Sequence, residues 1–186
     1  MIRKCSINDY EAILSIINDA AEVYRGIIPA ELWGEPYMSA DELRKEITSD
    51  VRFFCLEVGG GLVAVMVTQS VRDVILIRHA YVRTNRQRKG EGSRLLQYLV
   101  DNAPKPILIG TWRAARWALR FYEKNGFRLI EGSEKDRLLK AYWRIPARQI
   151  EASVVMADHR AQQEVVQDYN PTSSKAFNNG VGVSQS

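Results

Sequence analysis

Strand-like segments occupy the middle of the chain. Three follow one another: "RFFCLEV", "GLVAVMVTQSV" and "DVILIRHAYV". They are rich in β-branched and aromatic residues, which are typical of strands. The glycines at 59–61 predict the first connecting turn, and the residues around Arg72 predict the second. Such short connections favour an antiparallel meander.

Apolar residues at helical spacing lie on both sides of this meander. Residues 6–24 show that spacing, and residues 39–50 predict a second helix that Ser39 or Asp41 caps. A third helix follows the meander and is expected to run to about Asn102.

Strands and helices alternate in the C-terminal half. In order they are the strand "KPILIGT", the helix "AARWALRFYEKNG", the strand "FRLI", the helix "SEKDRLLKAYW" and the strand "EASVVMA". Gly126 suits the end of the first of these helices. Ser133, with Asp136 three residues later, predicts a variant of the capping box at the start of the second.

A strand–helix–strand unit requires a parallel crossover, whereas the meander is antiparallel. Together with a short first strand, "IRKC", the order predicts an α/β (α+β) fold, a mixed central β-sheet flanked by helices on both faces. We expect one domain over residues 1–157. Apolar residues become sparse after it, so residues 158–186 are predicted to form a polar tail, a frayed helix to Tyr169 followed by disorder.

Positive charge is concentrated in one stretch. The chain has a net charge of +4, but residues 78–94 contain six basic residues and one acid, Glu91, a local excess of +5. A single concentrated stretch favours a compact anion, while a nucleic-acid-binding patch over residues 83–94 is the alternative.

Several classes of protein do not fit the composition. No apolar run reaches the roughly 20 residues that a membrane span needs, and the N-terminus lacks the apolar core of a signal peptide, so a cytoplasmic protein without membrane contact is expected. Cys5 and Cys55 are expected to be buried thiols, although a disulfide would also be compatible. The two cysteines and two histidines lack the spacing of metal ligands, so no metal is expected.

A loop with two glycines lies inside the basic stretch, between a strand and a helix. Leu95 stands where a dinucleotide-binding loop has its third glycine, and no Gly-Lys-Ser/Thr triplet indicates a nucleotide P-loop. Gly90 and Gly92 lack Cβ atoms, so an anion could approach the free amides of the helix N-terminus, where the helix dipole adds attraction. A solvated basic turn is the plainer alternative.

Two motifs resemble those of the GNAT superfamily of N-acetyltransferases. Residues 87–92 match Gln/Arg-x-x-Gly-x-Gly/Ala, which in that superfamily follows a strand ending in valine, here Val82. A second block about thirty residues later is similar to Ala-x-x-Phe/Leu-Tyr-x-x-x-Gly-Phe; it consists of Ala118, Phe121, Tyr122, Gly126 and Phe127. The resemblance covers residues 1–157 and implies a GNAT-like mixed sheet.

Two positions depart from the superfamily pattern. Thr84 stands where members often carry proline two residues after the valine. Ala115 stands where they often carry an asparagine that contacts the cofactor arm, which puts that contact in doubt.

The resemblance implies transfer of an acetyl group from acetyl-CoA to a primary amine by direct attack in a ternary complex. The pantetheine arm would lie where the strand ending at Val82 parts from the strand at 107–111, with Tyr122 as general acid. Tyr122 could instead be a packed aromatic. The residues expected at the cofactor are Tyr81, Val82, Gln87, Arg88, Lys89, Gly90, Glu91, Gly92 and Ser93.

The acceptor site and the general base are less defined. By the same resemblance Trp33, Tyr37 and Trp112 would border a site for a small-molecule or peptide amine, although each could equally be a packing residue. Strand alternation puts Leu76, Arg78 and Ala80 on one face, where no carboxylate is available. On this pattern His79 lies on the opposite face and is interpreted as structural.

Other acids and other functions remain as alternatives. Glu22, Glu31 and Glu35 could act through water, but a surface acid is the plainer interpretation of each. A CoA-binding regulatory protein without turnover is the first alternative function, and nucleic-acid binding is the less favoured one. Dimers are common among such relatives, so a homodimer is one expected assembly.

Overall fold

One mixed sheet forms the centre of the protein, which we describe over residues 1–166 in a computed structural model. Within these residues the sheet has seven strands in the order β1-β2-β3-β4-β5-β7-β6. The strands β1 to β7 are Ile2–Lys4, Arg52–Val58, Gly61–Val71, Val74–Val82, Ile107–Trp112, Arg128–Ile130 and Ser153–Ala157. Only β4 and β5 pair in parallel; the other neighbours are antiparallel.

Helices cover both faces of this sheet, as the sequence predicted. The helices α1 to α7 are Tyr10–Ala21, Ala40–Ile47, Glu91–Asp101, Arg116–Lys124, Gly132–Tyr142, Ala147–Ala152 and His159–Ala161. On one face α3 and α4 pack on the middle strands. On the other face α1 and α2 cover one half of the sheet, and α5 covers the other half. The predicted fold class is therefore confirmed.

The first residues of α2 and α5 can be compared with the caps that the sequence predicted. Ser39 caps α2 in a capping box in which its side chain accepts a hydrogen bond from the amide of Glu42. The prediction for Ser133 is wrong, because α5 begins one residue earlier and Glu131 is its N-cap. Gly132 adopts φ 64°, a left-handed turn that lets the chain enter the helix before Ser133 is reached. The helix α6, six residues long after Pro146, was not predicted from the sequence.

A bulge in β4 changes which side chains share a face. Val67 of β3 pairs with His79, and the next residue, Thr68, pairs with Ile77, so Arg78 has no partner. Ile77 and Ala80 both pack towards α3 and α4. The predicted grouping of Leu76, Arg78 and Ala80 on one face is therefore wrong, because simple alternation does not allow for an extra residue.

The other face of β4 receives His79 and Tyr81. Tyr81 packs in the core beneath α1 and α2, and the His79 ring stacks against it with ring centroids 6.1 Å apart. His79 thus lies on the α2 side of the sheet. The strand pairing around the bulge determines this position together with alternation.

The segment after β7 continues the core. The helix α7 is followed by one π-helical turn, Gln162–Val166, and the side chains of Ala161 and Val165 are buried against α5 and β7. Asp158 caps α7 by accepting a hydrogen bond from the amide of Ala161. The structure therefore differs from the expected non-core tail over residues 158–166; the rest of the predicted tail lies outside the described residues. The division at residue 157 stays a prediction.

This packing predicts a difference between two shortened chains. A chain ending after Ala157 loses the buried side chains of Ala161 and Val165, whereas a chain ending after Val166 keeps them. Burial of one valine and one alanine contributes about 3 kcal/mol, so the shorter chain should melt about 5–10 °C below the longer one. Equal melting temperatures in calorimetry would show that residues 158–166 add nothing to the fold.

None of the helices within residues 1–166 has both the length and the apolar content to cross a membrane.

Candidate functional site

Two neighbouring strands separate near the centre of the sheet. β4 and β5 pair over three registers, from Ile75 opposite Ile107 to Ile77 opposite Ile109, and no pairing continues beyond them in the described chain. Residues 78–82 and 110–112 therefore border a gap. The resemblance to the GNAT superfamily implied this parting, and the cavities described below open around it.

A large cleft lies on the α3 and α4 side of this gap, with a volume of about 640 Å³. Seven of the nine residues that the sequence predicted at the cofactor line it: Tyr81, Val82, Gln87, Arg88, Gly90, Gly92 and Ser93. Lys89 and Glu91 do not. The ammonium of Lys89 instead donates a hydrogen bond to the carbonyl of Asn85.

The loop between β4 and α3 exposes backbone to this cleft. Arg88 and Gly90 have positive φ, 61° and 82°, and Gly90 is the N-cap of α3. A Cβ atom on Gly92 would lie 3.2 Å from Val82 and 3.4 Å from Phe121, so this position is closely packed. The first amides of α3 have no helical partner and carry the positive end of the helix dipole. The loop is thus suited to an anion.

An ion pair at the edge of the cleft was missed from the sequence. Arg86 lines the cleft and pairs with Glu91, the first residue of α3. Within the described residues, the Nε atom of Arg86 and the Oε2 atom of Glu91 are buried without a hydrogen-bond partner. Such atoms are rare in proteins, and because both are shielded from solvent neither meets a ligand in the cleft as the side chains stand.

Tyr122 lies where the cleft meets a second cavity. It lines both, together with Tyr24, Ala80 and Tyr81. Burial, with a smaller contribution from Tyr24, raises the pKa of Tyr122 above its ordinary value. No described residue accepts a hydrogen bond from its hydroxyl, so the proton is available to a group in the cavity. The general-acid role of Tyr122 stays a prediction.

Two smaller cavities lie on the far side of the gap, with volumes of about 170 and 400 Å³. Both are lined by Tyr37, His79, Trp112 and Gln149. Gly110 lets another aromatic ring close the smaller one, because its missing Cβ would lie 3.1 Å from the ring of Trp143.

Of the three aromatic residues predicted at the acceptor site, Tyr37 and Trp112 line these cavities. Trp33 lines neither; it packs on Tyr37 with ring centroids 5.4 Å apart and beneath the guanidinium of Arg25. Tyr24 and Trp143 were not predicted, because both lie far from the motifs in the sequence and no local pattern marks them.

The acids considered from the sequence lie outside both cavities. Arg25 forms ion pairs with Glu22 and Glu35, and Arg148 pairs with Glu31. Hydrogen bonds from Arg25 and from Trp33 hold the pKa of Glu35 below its ordinary value. These contacts agree with the interpretation of the three acids as surface groups.

One group of potential metal ligands lies apart from the cavities around the gap. The ligand atoms of Cys5, Asp9 and Cys55 are within 4.8 Å of one another. The Asp9 carboxylate, however, accepts two hydrogen bonds from the guanidinium of Arg3, at 2.8 and 2.9 Å. These bonds occupy the carboxylate that a metal ion would need.

Comparison with known proteins identifies the family. A family model described as an acetyltransferase (GNAT) domain matches residues 16–138, and the chain belongs to this family. A search of curated proteins found no match.

Solved structures share the fold. PaiA N-acetyltransferase from Thermoplasma acidophilum, in complex with coenzyme A, has a TM-score of 0.64 at 20% identity over 85% of this chain and 97% of its own. The ribosomal-protein-S18-alanine N-acetyltransferase from Escherichia coli has a TM-score of 0.59 at 18% identity, over 85% and 92%. A GNAT-family acetyltransferase from Staphylococcus aureus Mu50 has a TM-score of 0.63 at 14% identity, over 85% and 97%.

Proposed function

We propose that this protein is an acetyl-CoA-dependent N-acetyltransferase that acts on a primary amine by direct attack in a ternary complex. The observation that carries the proposal is the meeting of the large cleft with a second cavity at the gap between β4 and β5. Tyr24, Ala80, Tyr81 and Tyr122 line both spaces. An acetyl donor in one space and an amine in the other could therefore come into contact.

The residues of the cleft fit a pyrophosphate-bearing donor. The free amides of α3 and the left-handed backbone at Gly90 suit an anion, and the guanidinium of Arg86 adds positive charge at the edge of the cleft. Residues 88–93 would hold the pyrophosphate by their amides. The coenzyme A in the structure of the Thermoplasma acidophilum relative supports this choice of ligand.

The two departures from the superfamily pattern have different consequences. The amide of Thr84 donates a 2.7 Å hydrogen bond to Asp19, which proline could not do. Threonine thus ties the loop to α1. Ala115 is fully buried at the start of α4 and offers no polar group, so we propose that the cofactor arm lacks a side-chain contact there.

The chain supplies the groups that the reaction needs around the donor. Acetyl-CoA would bring an acetyl group activated as a thioester. Backbone amides near Tyr81 and Val82 would stabilise charge on the thioester oxygen. The hydroxyl of Tyr122 would give a proton to the departing sulfur. Cys5 and Cys55 have free thiols, which suits a reducing compartment, and we propose a cytoplasmic location.

Release of free CoA tests this function directly. Purified protein should release CoA thiol from acetyl-CoA when an acceptor amine is present, and acetylated amine should appear in equal amount. A suitable panel contains a peptide beginning with alanine, a linear diamine and 2-phenylethylamine, since the acceptor cavities are lined by aromatic rings.

Two other outcomes would replace the proposal. Acetyl-CoA binding in calorimetry without thiol release on a broad amine panel would favour a CoA-binding regulatory protein. Steeply salt-dependent binding of duplex DNA, without acetyl-CoA binding, would favour a nucleic-acid-binding module that uses residues 83–94.

A further inference from the structure

We propose that His79 is the catalytic base that takes the proton from the acceptor amine, and that Glu46 is its positioning residue. This inference rests on the proposed function, because it assigns a role within the same reaction. It concerns a side chain that simple strand alternation had assigned to a structural role.

The two side chains form a hydrogen-bonded pair. The Nε2 atom of His79 lies 3.1 Å from the Oε2 atom of Glu46, and the side chains are 15% and 21% exposed. Because a carboxylate can only accept, this bond keeps a hydrogen on Nε2 and leaves the lone pair on Nδ1. No other described residue forms a hydrogen bond with Nδ1. The free nitrogen is therefore available to a ligand.

The position of His79 suits an acceptor. It lines both cavities on the far side of the gap from the large cleft. The next residue along β4, Ala80, lines the cleft as well as the smaller cavity. Ala80 thus marks the place where the cleft and the smaller cavity meet. An amine that reaches a thioester there would lie close to the imidazole of His79, the preceding residue of β4. The bulge at Arg78 produces this placement.

Neither of the two carboxylates among the described residues that line these cavities is free to act. Glu42 lines the larger cavity, but its Oε2 atom accepts hydrogen bonds from the amide and the hydroxyl of Ser39. Glu46 is held by His79 and by Arg78, whose guanidinium lies 3.6 Å away. Among the described residues that line these cavities, His79 is the histidine, and its Nδ1 atom has no hydrogen-bond partner.

The groups around Glu46 keep its carboxylate charged. Burial raises the pKa of Glu46, but the hydrogen bond from His79 and the charges of His79 and Arg78 outweigh it and leave that pKa below its ordinary value. Glu46 is therefore anionic at neutral pH and can stabilise an imidazolium. Lys45 and Glu42 line the same cavity with opposite charges.

Two tyrosines are neighbours of His79. Tyr37 lines both cavities from the loop before α2, and Tyr81 stacks on the imidazole. Burial, with smaller contributions from Tyr37 and Tyr24, raises the pKa of Tyr81 well above its ordinary value, so this phenol does not compete as a base.

The protons balance in the following way. An ammonium group and a thioester give an amide, a thiol and one proton; a C–N bond forms and a C–S bond breaks. Nδ1 of His79 takes the first nitrogen proton and passes it to solvent, which leaves the amine's lone pair free to attack. The sulfur receives its proton from Tyr122, and the second nitrogen proton, lost as the C–N bond forms, returns through solvent to the Tyr122 phenolate, so that one proton is released overall.

The central test replaces the imidazole by a group that cannot take up a proton. His79→Gln should lower kcat with 2-phenylethylamine, or with the panel amine that turns over, by about 10²-fold. The acid limb of the kcat/KM profile that reports the base should disappear, leaving the ionisation of the amine alone. Affinity for CoA should not change, because His79 does not line the cleft. His159→Gln is the matched control, since His159 is the other histidine and lies exposed on α7.

Glu46→Gln tests the positioning role. The amide keeps a hydrogen-bond acceptor but loses the charge that stabilises the imidazolium formed when His79 takes the proton, so kcat should fall by about tenfold while the KM for the amine and the affinity for CoA stay unchanged. A merely structural Glu46 would leave kcat at the parental value. If His79→Gln does not fold, this variant decides: a parental kcat overturns the proposal.

A spectroscopic readout does not depend on turnover. In His159→Gln the imidazole of His79 is the only one, and its ring-proton resonances should shift when the amine is added in the presence of CoA. No shift, together with parental kcat in His79→Gln, overturns the role of His79 and leaves the proposed function intact. If the parent protein itself releases no thiol with any amine, the proposed function fails first.

Discussion

Replacement of Tyr122 by phenylalanine should lower kcat by about 10²–10⁴-fold, which is the usual contribution of general acid catalysis. The change keeps the ring, which packs against Phe121 and Phe127 at centroid distances of 5.2 and 6.1 Å, and removes only the hydroxyl. Because burial raises the pKa of Tyr122, the phenol remains protonated through the neutral range and can donate to a developing thiolate.

The kinetic pattern separates this role from packing. Affinity for acetyl-CoA should barely change, since the proton transfer stabilises the transition state more than the bound substrate. Tyr98→Phe is the control, because Tyr98 is exposed on α3 and lies outside the large cleft. Steady-state turnover at the parental rate in Tyr122→Phe would mean that Tyr122 is a packed aromatic and that water protonates the sulfur.

Gly92→Glu should weaken acetyl-CoA binding by at least about tenfold. The new carboxylate would stand in the first turn of α3, where it would repel the pyrophosphate and block amides that we expect to hold it. Loss of one or more charged hydrogen bonds, each contributing about 1.5–3 kcal/mol, gives an effect of this size. Isothermal calorimetry with acetyl-CoA measures it.

Two further variants isolate the charge from the added volume. Gly92→Ala adds only a Cβ atom, which must fit 3.2 Å from Val82 and 3.4 Å from Phe121, so we expect a smaller loss of affinity. Gly61→Glu places the same acid at a glycine with open space around it, and affinity should be unchanged. If all three variants bind as the parent does, the cofactor site is not at residues 88–93.

The basic loop was readable from the sequence because its signal is local. Gly90 and Gly92 are two residues apart at a strand–helix junction, and the chemistry that they allow depends on backbone geometry within one turn. For the same reason the capping box of Ser39 was readable. The predicted cap at Ser133 was wrong because the neighbouring Gly132 begins the helix in a left-handed conformation, which the sequence pattern does not reveal.

The proposed acceptor side of the site depends on contacts between residues that are distant in the sequence. Glu46 and His79 are 33 residues apart and meet across α2 and β4. Trp143 reaches the smaller cavity because Gly110 leaves room for its ring. The local periodicity of the sequence does not predict such contacts, because they depend on how separate elements pack together.

By itself the sequence determined the order of the strands and of the longer helices, the mixed sheet and the family motifs, and it predicts that the loop before α3 binds an anion. These properties follow from hydrophobic periodicity and from neighbouring residues along the chain. The tertiary structure decided which side of the sheet His79 faces, because the pairing of Val67 and Thr68 leaves Arg78 unpaired and reverses the alternation beyond it. It also decided that residues 158–166 complete the core, since the burial of Ala161 and Val165 depends on surfaces that α5 and β7 provide.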